Sequence, residues 1–136
     1  MNADELWNEY CVQCNEDINT AHQAWCFGGA PDELAVLVLD GMKTATCSLY
    51  DLYELDQDEP LPKAGDISVI LNGNEDAICI IRTTRVYITR FLQVSEDHAY
   101  KEGEGDRSLE YWRKVHKDFF TYEASEYGLQ FDENIN

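Results

Sequence analysis

Just past Gly41 the chain offers Lys43, Thr44, Thr46 and Ser48. One amine and three hydroxyls on a glycine-terminated corner make a compact set of reactive and hydrogen-bonding groups. A threonine hydroxyl is a weak nucleophile at neutral pH and needs an adjacent base. A lysine amine can be that base when desolvation lowers its pKa from about 10.4 toward 7 to 8. A lysine paired with a carboxylate stays charged and is better suited to stabilising an oxyanion.

A second polar group lies far down the chain, at Glu102-Gly103-Glu104-Gly105-Asp106. Its carboxylates could together hold a divalent ion in a loop. Trp112 and His116 stand four apart on an expected helix and read as core and capping contacts. His22 and His98 have no partner identifiable from the sequence. The five cysteines, Cys11, Cys14, Cys26, Cys47 and Cys79, are odd in number and scattered, which suggests reduced thiols in a cytoplasm. Cys11-Val-Gln-Cys14 has zinc-like spacing, but no second pair completes a four-ligand site. No cofactor and no metal are expected.

The elements that must position these groups follow from hydrophobic period. Leu6, Trp7, Tyr10, Cys11 and Cys14 recur at three and four residues, giving an amphipathic helix over 3–16. Trp25 and Phe27 alternate in a short extended piece closed by Gly28-Gly29. Pro31-Asp32-Glu33 opens a buried apolar helix that Gly41 ends, glycine taking the left-handed conformation without a Cβ clash. Residues 50–64, acidic and carrying Pro60 and Pro62, read as a surface loop. Ile67–Leu71 and Ala77–Thr84 form a hairpin around Asn72-Gly73-Asn74-Glu75, and 86–91 reads as a third strand. Helices are expected from Ser95 to Glu102 and from Ser108 to Phe120, with a short strand over 127–131. The fold class is α+β.

The chain has 136 residues, the size of one domain, and no apolar run approaches a membrane span. Its N-terminus is acidic and lacks the pattern of a secretory signal. A net charge of −17 tells against a general polyanion binder, because nucleic-acid affinity rests on neutralising phosphates. Residues 82–117 nevertheless hold eight of the ten basic residues against six acids, which leaves room for a local basic face.

Three blocks in order, Gly41-x-Lys43-Thr44-x-Thr46-x-Ser48, Pro62-x-x-Gly65-Asp66 and Glu102-Gly103-Glu104-Gly105-Asp106-x-Ser108-Leu109-x-x-Trp112-x-x-x-His116, resemble the ASCH domain family. Trp25-x-Phe27-Gly28 fits its larger bacterial members, and the resemblance spans roughly residues 24–122. It implies a small PUA-like β-barrel flanked by helices. It also implies a cleft where the Lys43 and Glu102 segments meet. Separately from the resemblance, the N-terminal helix in residues 1–20 is expected to pack on a domain of 21–136. Family members are regarded as RNA-binding modules, metal-assisted ribonucleases, or amidohydrolases that deacylate the exocyclic amine of cytidine. In the last type a lysine, a threonine three residues on and a distant glutamate are catalytic, matching Lys43, Thr46 and Glu102. Trp25, Phe27, Thr44, Ser48 and Trp112 would then line the substrate.

Two functions follow as expectations. One is hydrolysis of an N-acylated cytosine nucleoside, a neutral small molecule for which a strongly acidic protein is no handicap. The other is an RNA- or nucleotide-binding module, or a divalent-metal-dependent ribonuclease, using the basic face of 82–117 and aromatics such as Trp25 and Trp112.

Overall fold

The computed structural model describes residues 1–55 and 60–132. The chain divides into two compact units, Met1–Gly41 with Pro62–Val86, and Met42–Leu61 with Tyr87–Asn136.

The first unit is a three-stranded sheet with a helix on each face. Helix α1 (Ala3–Cys14) starts at Asn2, whose side chain accepts from the Glu5 amide at 2.9 Å. Strand β1 (Gln23–Cys26) pairs parallel with β2 (Ile67–Leu71), and β2 pairs antiparallel with β3 (Ala77–Arg82). The hairpin turn is held by Asn72, whose side-chain oxygen accepts from the Asn74 and Asp76 amides at 3.0 and 2.9 Å. Helix α2 (Pro31–Leu39) opens on proline and two acids, as expected.

Alternation along β2 explains the layering, since neighbouring side chains point to opposite faces. Ile67 and Val69 join Trp7 and Cys11 of α1 in one cluster, while Ile70 joins Ala35 of α2 and Phe27 in another. Within this unit His22 does have a partner, stacking on Trp7 with centroids 3.7 Å apart. Cys11 is buried and Cys14 exposed on the same helix.

The second unit is helical. It contains α3 (Tyr50–Leu55), a 3-10 turn at Phe91–Gln93, α4 (Glu96–Glu102) and α5 (Leu109–Glu126). Its core gathers Leu49, Phe91, Val94, Ala99, Trp112, Phe120 and Ala124. Burial of each large member stabilises the fold by ~1.5–3 kcal/mol.

Several expectations need correcting. The start of the acidic 50–64 segment is helical, because Leu52 packs on the Leu49 cluster and gives six residues an anchored face. The stretch 56–59 lies outside the described residues. Among the described residues 86–91 joins no sheet, and its alternation ends with Phe91 buried in the helical core. Residues 127–131 form no strand either, and Leu129 and Phe131 pack on the same core instead. The sheet therefore has three strands among the described residues and does not close into a barrel. No helix among them is long and apolar enough to cross a membrane.

Candidate active site around Lys43 and Glu102

All the groups of this site belong to the second unit. Helix α4 is capped at both ends: Ser95 accepts from the His98 amide at 3.1 Å, and Gly103 ends it at φ 73°. Glycine is required there twice over. The left-handed conformation disfavours a side chain, and a Cβ would lie 2.8 Å from the Met42 carbonyl carbon and 3.1 Å from the Lys43 nitrogen. Backbone bonds from the Thr44 and Ala45 amides to the Lys101 carbonyl, 2.7 and 3.1 Å, fix segment 43–49 against the end of α4. Helix α5 begins at Ser108, which accepts from the Tyr111 amide and is itself positioned by Asp106.

Along residues 43–49 burial alternates. Lys43, Ala45, Cys47 and Leu49 are the more buried set, and Thr44, Thr46 and Ser48 are exposed. Lys43 is 5% exposed and Glu102 1%. Lys43 Nζ donates to Glu102 Oε1 and Glu104 Oε2, both at 3.2 Å, and to the Glu102 carbonyl at 3.4 Å. Three acceptors around one nitrogen match the three N–H donors of an ammonium.

Glu102 is the hub. Its Oε2 accepts from Trp112 Nε1 at 2.6 Å and His98 Nε2 at 2.7 Å. Its Oε1 takes Lys43 and faces His116 Nε2 at 3.5 Å. Burial opposes ionisation of this carboxyl. The hydrogen bonds from His116 and His98 and the Lys43 charge outweigh it, holding the group far below the usual carboxylate range. His116 shows the reciprocal effect: burial lowers its pKa, but the Glu102 hydrogen bond and charge raise it overall. The ring donates through Nδ1 to the Trp112 carbonyl at 2.8 Å and stacks on Trp112, centroids 4.4 Å apart. Cys47 also reaches Glu102, and burial and that carboxylate push its thiol well up.

The Lys43 and Glu102 segments thus meet, 59 residues apart in sequence. Thr46 lies among the exposed residues, on the opposite side of its segment from Lys43 by the alternation of burial. Thr44 and Ser48 share its side, hydrogen-bonded to the Lys101 carbonyl and to Tyr53 Oη respectively. Trp112 is buried at 3% and spends its N–H on Glu102 rather than presenting a face. Trp25 and Phe27 belong to the other unit, packed edge to face at 4.9 Å.

Sequence reasoning missed His98, His116 and Cys47 as members of the cluster. The available signal was spacing: His98–Glu102 and Trp112–His116 are both i, i+4 pairs, and Cys47 shares Lys43's parity. Of the carboxylates considered for a divalent ion, Glu102 and Glu104 hold the Lys43 ammonium and Asp106 serves the α5 cap. Cys47, Glu102 and His116 have donor atoms within 4.8 Å of one another, a soft and borderline set of the kind zinc takes.

The ASCH domain family profile matches residues 23–136. Among solved structures, an ASCH domain from Lactobacillus crispatus JV V101 aligns with a TM-score of 0.86 at 34% identity, covering 97% of this chain and 87% of that one. A protein of Enterococcus faecalis V583 aligns with a TM-score of 0.85 at 38% identity, covering 98% and 86%. No curated protein matches the chain. On the match of the family profile over most of its length, the chain belongs to the ASCH domain family.

Proposed function

We propose that this ASCH-domain chain is a hydrolase that cleaves the amide of an N-acylated cytosine nucleoside. The observation that carries the reading is the buried ion pair between Lys43 and Glu102, with side chains 2% and 1% exposed. A buried charge is costly, and clusters of perturbed ionisable groups concentrate at functional sites.

The geometry favours some roles over others. Glu102 receives four donors and is held ionised, so it positions Lys43 rather than carrying protons. Lys43 acts as a charged donor to the oxygen that becomes negative when the acyl carbon is attacked. Glu104, at 17% the most exposed partner of Lys43, is the one a substrate oxygen displaces. The exposed hydroxyls of Thr44, Thr46 and Ser48 offer polar contacts for the nucleoside, with Thr46 a catalytic candidate by resemblance.

A phosphate-binding role finds less support. Lys101 pairs with Asp97, Arg107 lies over the Tyr100 ring and bonds the Tyr100 and Met42 carbonyls, and Arg113 donates to the Leu92 carbonyl. These three of the eight basic residues in 82–117 make local contacts, the Lys101 pair an exposed one. The test is turnover of N(4)-acetylcytidine with chelator present, at low and high salt. Salt-insensitive deacylation lost in Lys43→Met supports the reading. Chelator-sensitive consumption of RNA refutes it.

A further inference from the structure

Lys43 and Glu102 both have their hydrogen-bonding capacity taken up within the cluster, so amide cleavage needs a proton acceptor elsewhere. His98 sits between a buried carboxylate and an exposed hydroxyl. Its Nε2 lies 2.7 Å from Glu102 Oε2, and its Nδ1 lies 2.9 Å from Tyr87 Oη. Because Glu102 is ionised and only accepts, Nε2 carries the proton. In a neutral ring Nδ1 is then the acceptor, and the Tyr87 hydroxyl donates to it. The ring is held edge-on to both Tyr87 and Trp112, at 6.0 and 6.2 Å between centroids. The His98 side chain is 11% exposed, whereas Tyr87 is 49% exposed. The line therefore runs from a fixed, buried carboxylate through an oriented imidazole to a hydroxyl at the surface. That is the arrangement of orienting group, base and nucleophile.

We infer that Tyr87 is an acyl-accepting nucleophile activated by His98, with Glu102 as the positioning residue. Tyr87 Oη bonds to the acyl carbon while its proton passes to His98 Nδ1. The carbon–nitrogen bond then breaks, and the imidazolium returns that proton to the leaving amine. A tyrosyl ester remains. Water attacks it, giving its proton to His98. The ester carbon–oxygen bond breaks, the phenolate takes the proton back, and the carboxylic acid leaves and ionises in solvent. One water is consumed and no oxidant or reductant is needed.

The choice of substrate rests on the hydrolase reading above, but the reactivity of Tyr87 does not, and the two can be separated. The full chain is treated with p-nitrophenyl acetate, following nitrophenolate release and mapping acetyl groups by peptide mass spectrometry. A stoichiometric burst with acetyl on Tyr87 is expected. Tyr87→Phe should remove both, and His98→Gln should slow the burst by about 100-fold or more, as loss of a general base does. Should His98→Gln fail to fold, the adduct map of wild type and Tyr87→Phe decides alone. Acetylation confined to lysines, or a burst unchanged in Tyr87→Phe, overturns the inference. Acetyl-Tyr87 without N(4)-acetylcytidine turnover upholds it and overturns the hydrolase reading instead.

Discussion

Replacing Glu102 by Gln tests how the buried cluster is held together, because the volume is kept while one acceptor oxygen becomes a donor. The Trp112 indole can only donate, and its 2.6 Å bond obliges the amide oxygen to take the Oε2 position shared with His98. The amide NH2 must then face Lys43 and His116. His116 can respond by giving up its proton and accepting. Lys43 cannot, and loses that acceptor while keeping Glu104 and the residue-102 carbonyl. Removing one partner of a buried pair costs about 3–5 kcal/mol, and because Lys43 keeps Glu104 the low end of that range applies. Lys43→Met keeps the apolar stem and leaves Glu102 with His98, Trp112 and His116, so its cost should be smaller, about 1–3 kcal/mol. In the double variant the under-paired cation is gone, and the two costs should fall short of additivity by ~1–3 kcal/mol. Urea unfolding of the four proteins, followed by tryptophan fluorescence, measures each quantity. Additive costs to within about 0.5 kcal/mol, or a Lys43→Met cost above that of Glu102→Gln, would show that the two side chains are not coupled in this way.

Two further outcomes bear on the same cluster. Gly103→Ala should destabilise the chain by more than the ~1 kcal/mol of a left-handed strain alone, since the new methyl meets the Met42–Lys43 backbone; thermal unfolding near the wild-type temperature would contradict this. Stability should also depend on pH at both ends. The depressed Glu102 carboxyl contributes above its ordinary 4.5, and that contribution is lost as pH falls toward its folded value. The raised His116 contributes fully below its ordinary 6.5, and that contribution is lost as pH rises through its folded value. Urea midpoints should therefore decline from about pH 6 toward alkali, and Glu102→Gln should flatten that decline. An equal slope in both proteins would count against the His116–Glu102 coupling.

Much of the fold was legible in local pattern. The caps at Ser95 and Ser108, the proline opening of α2 and the Asn72 turn depend on residues within four positions of one another. Alternation, by contrast, misled at 86–91. A period of two says that faces differ, not that a neighbouring strand exists to receive the hydrogen bonds. Pro60 and Pro62 coloured the whole 50–64 segment as loop, although the helix ends before them and Leu52 had a core to join. At the site, pairing Lys43 with Glu102 required the family resemblance, because no local rule links residues 59 apart. The histidines were harder. Each is four residues from its partner or stacking neighbour, but a spacing becomes a contact only once burial has removed the solvent alternative. His98 was readable as an i, i+4 partner of Glu102, and His116 only through the tertiary approach of α5.

The proposed activity of the Lys43–Glu102 cluster is cleavage of N-acylated cytosine nucleosides. Its most direct test is steady-state deacylation of N(4)-acetylcytidine, with chelator and without added metal, by wild type and by a folded Lys43→Met variant. Turnover by the wild type and a loss of about 100-fold or more in kcat/KM in the variant are predicted, the scale of removing one oxyanion donor. Equal turnover by both proteins, or none by the wild type, would rule out that activity for the cluster.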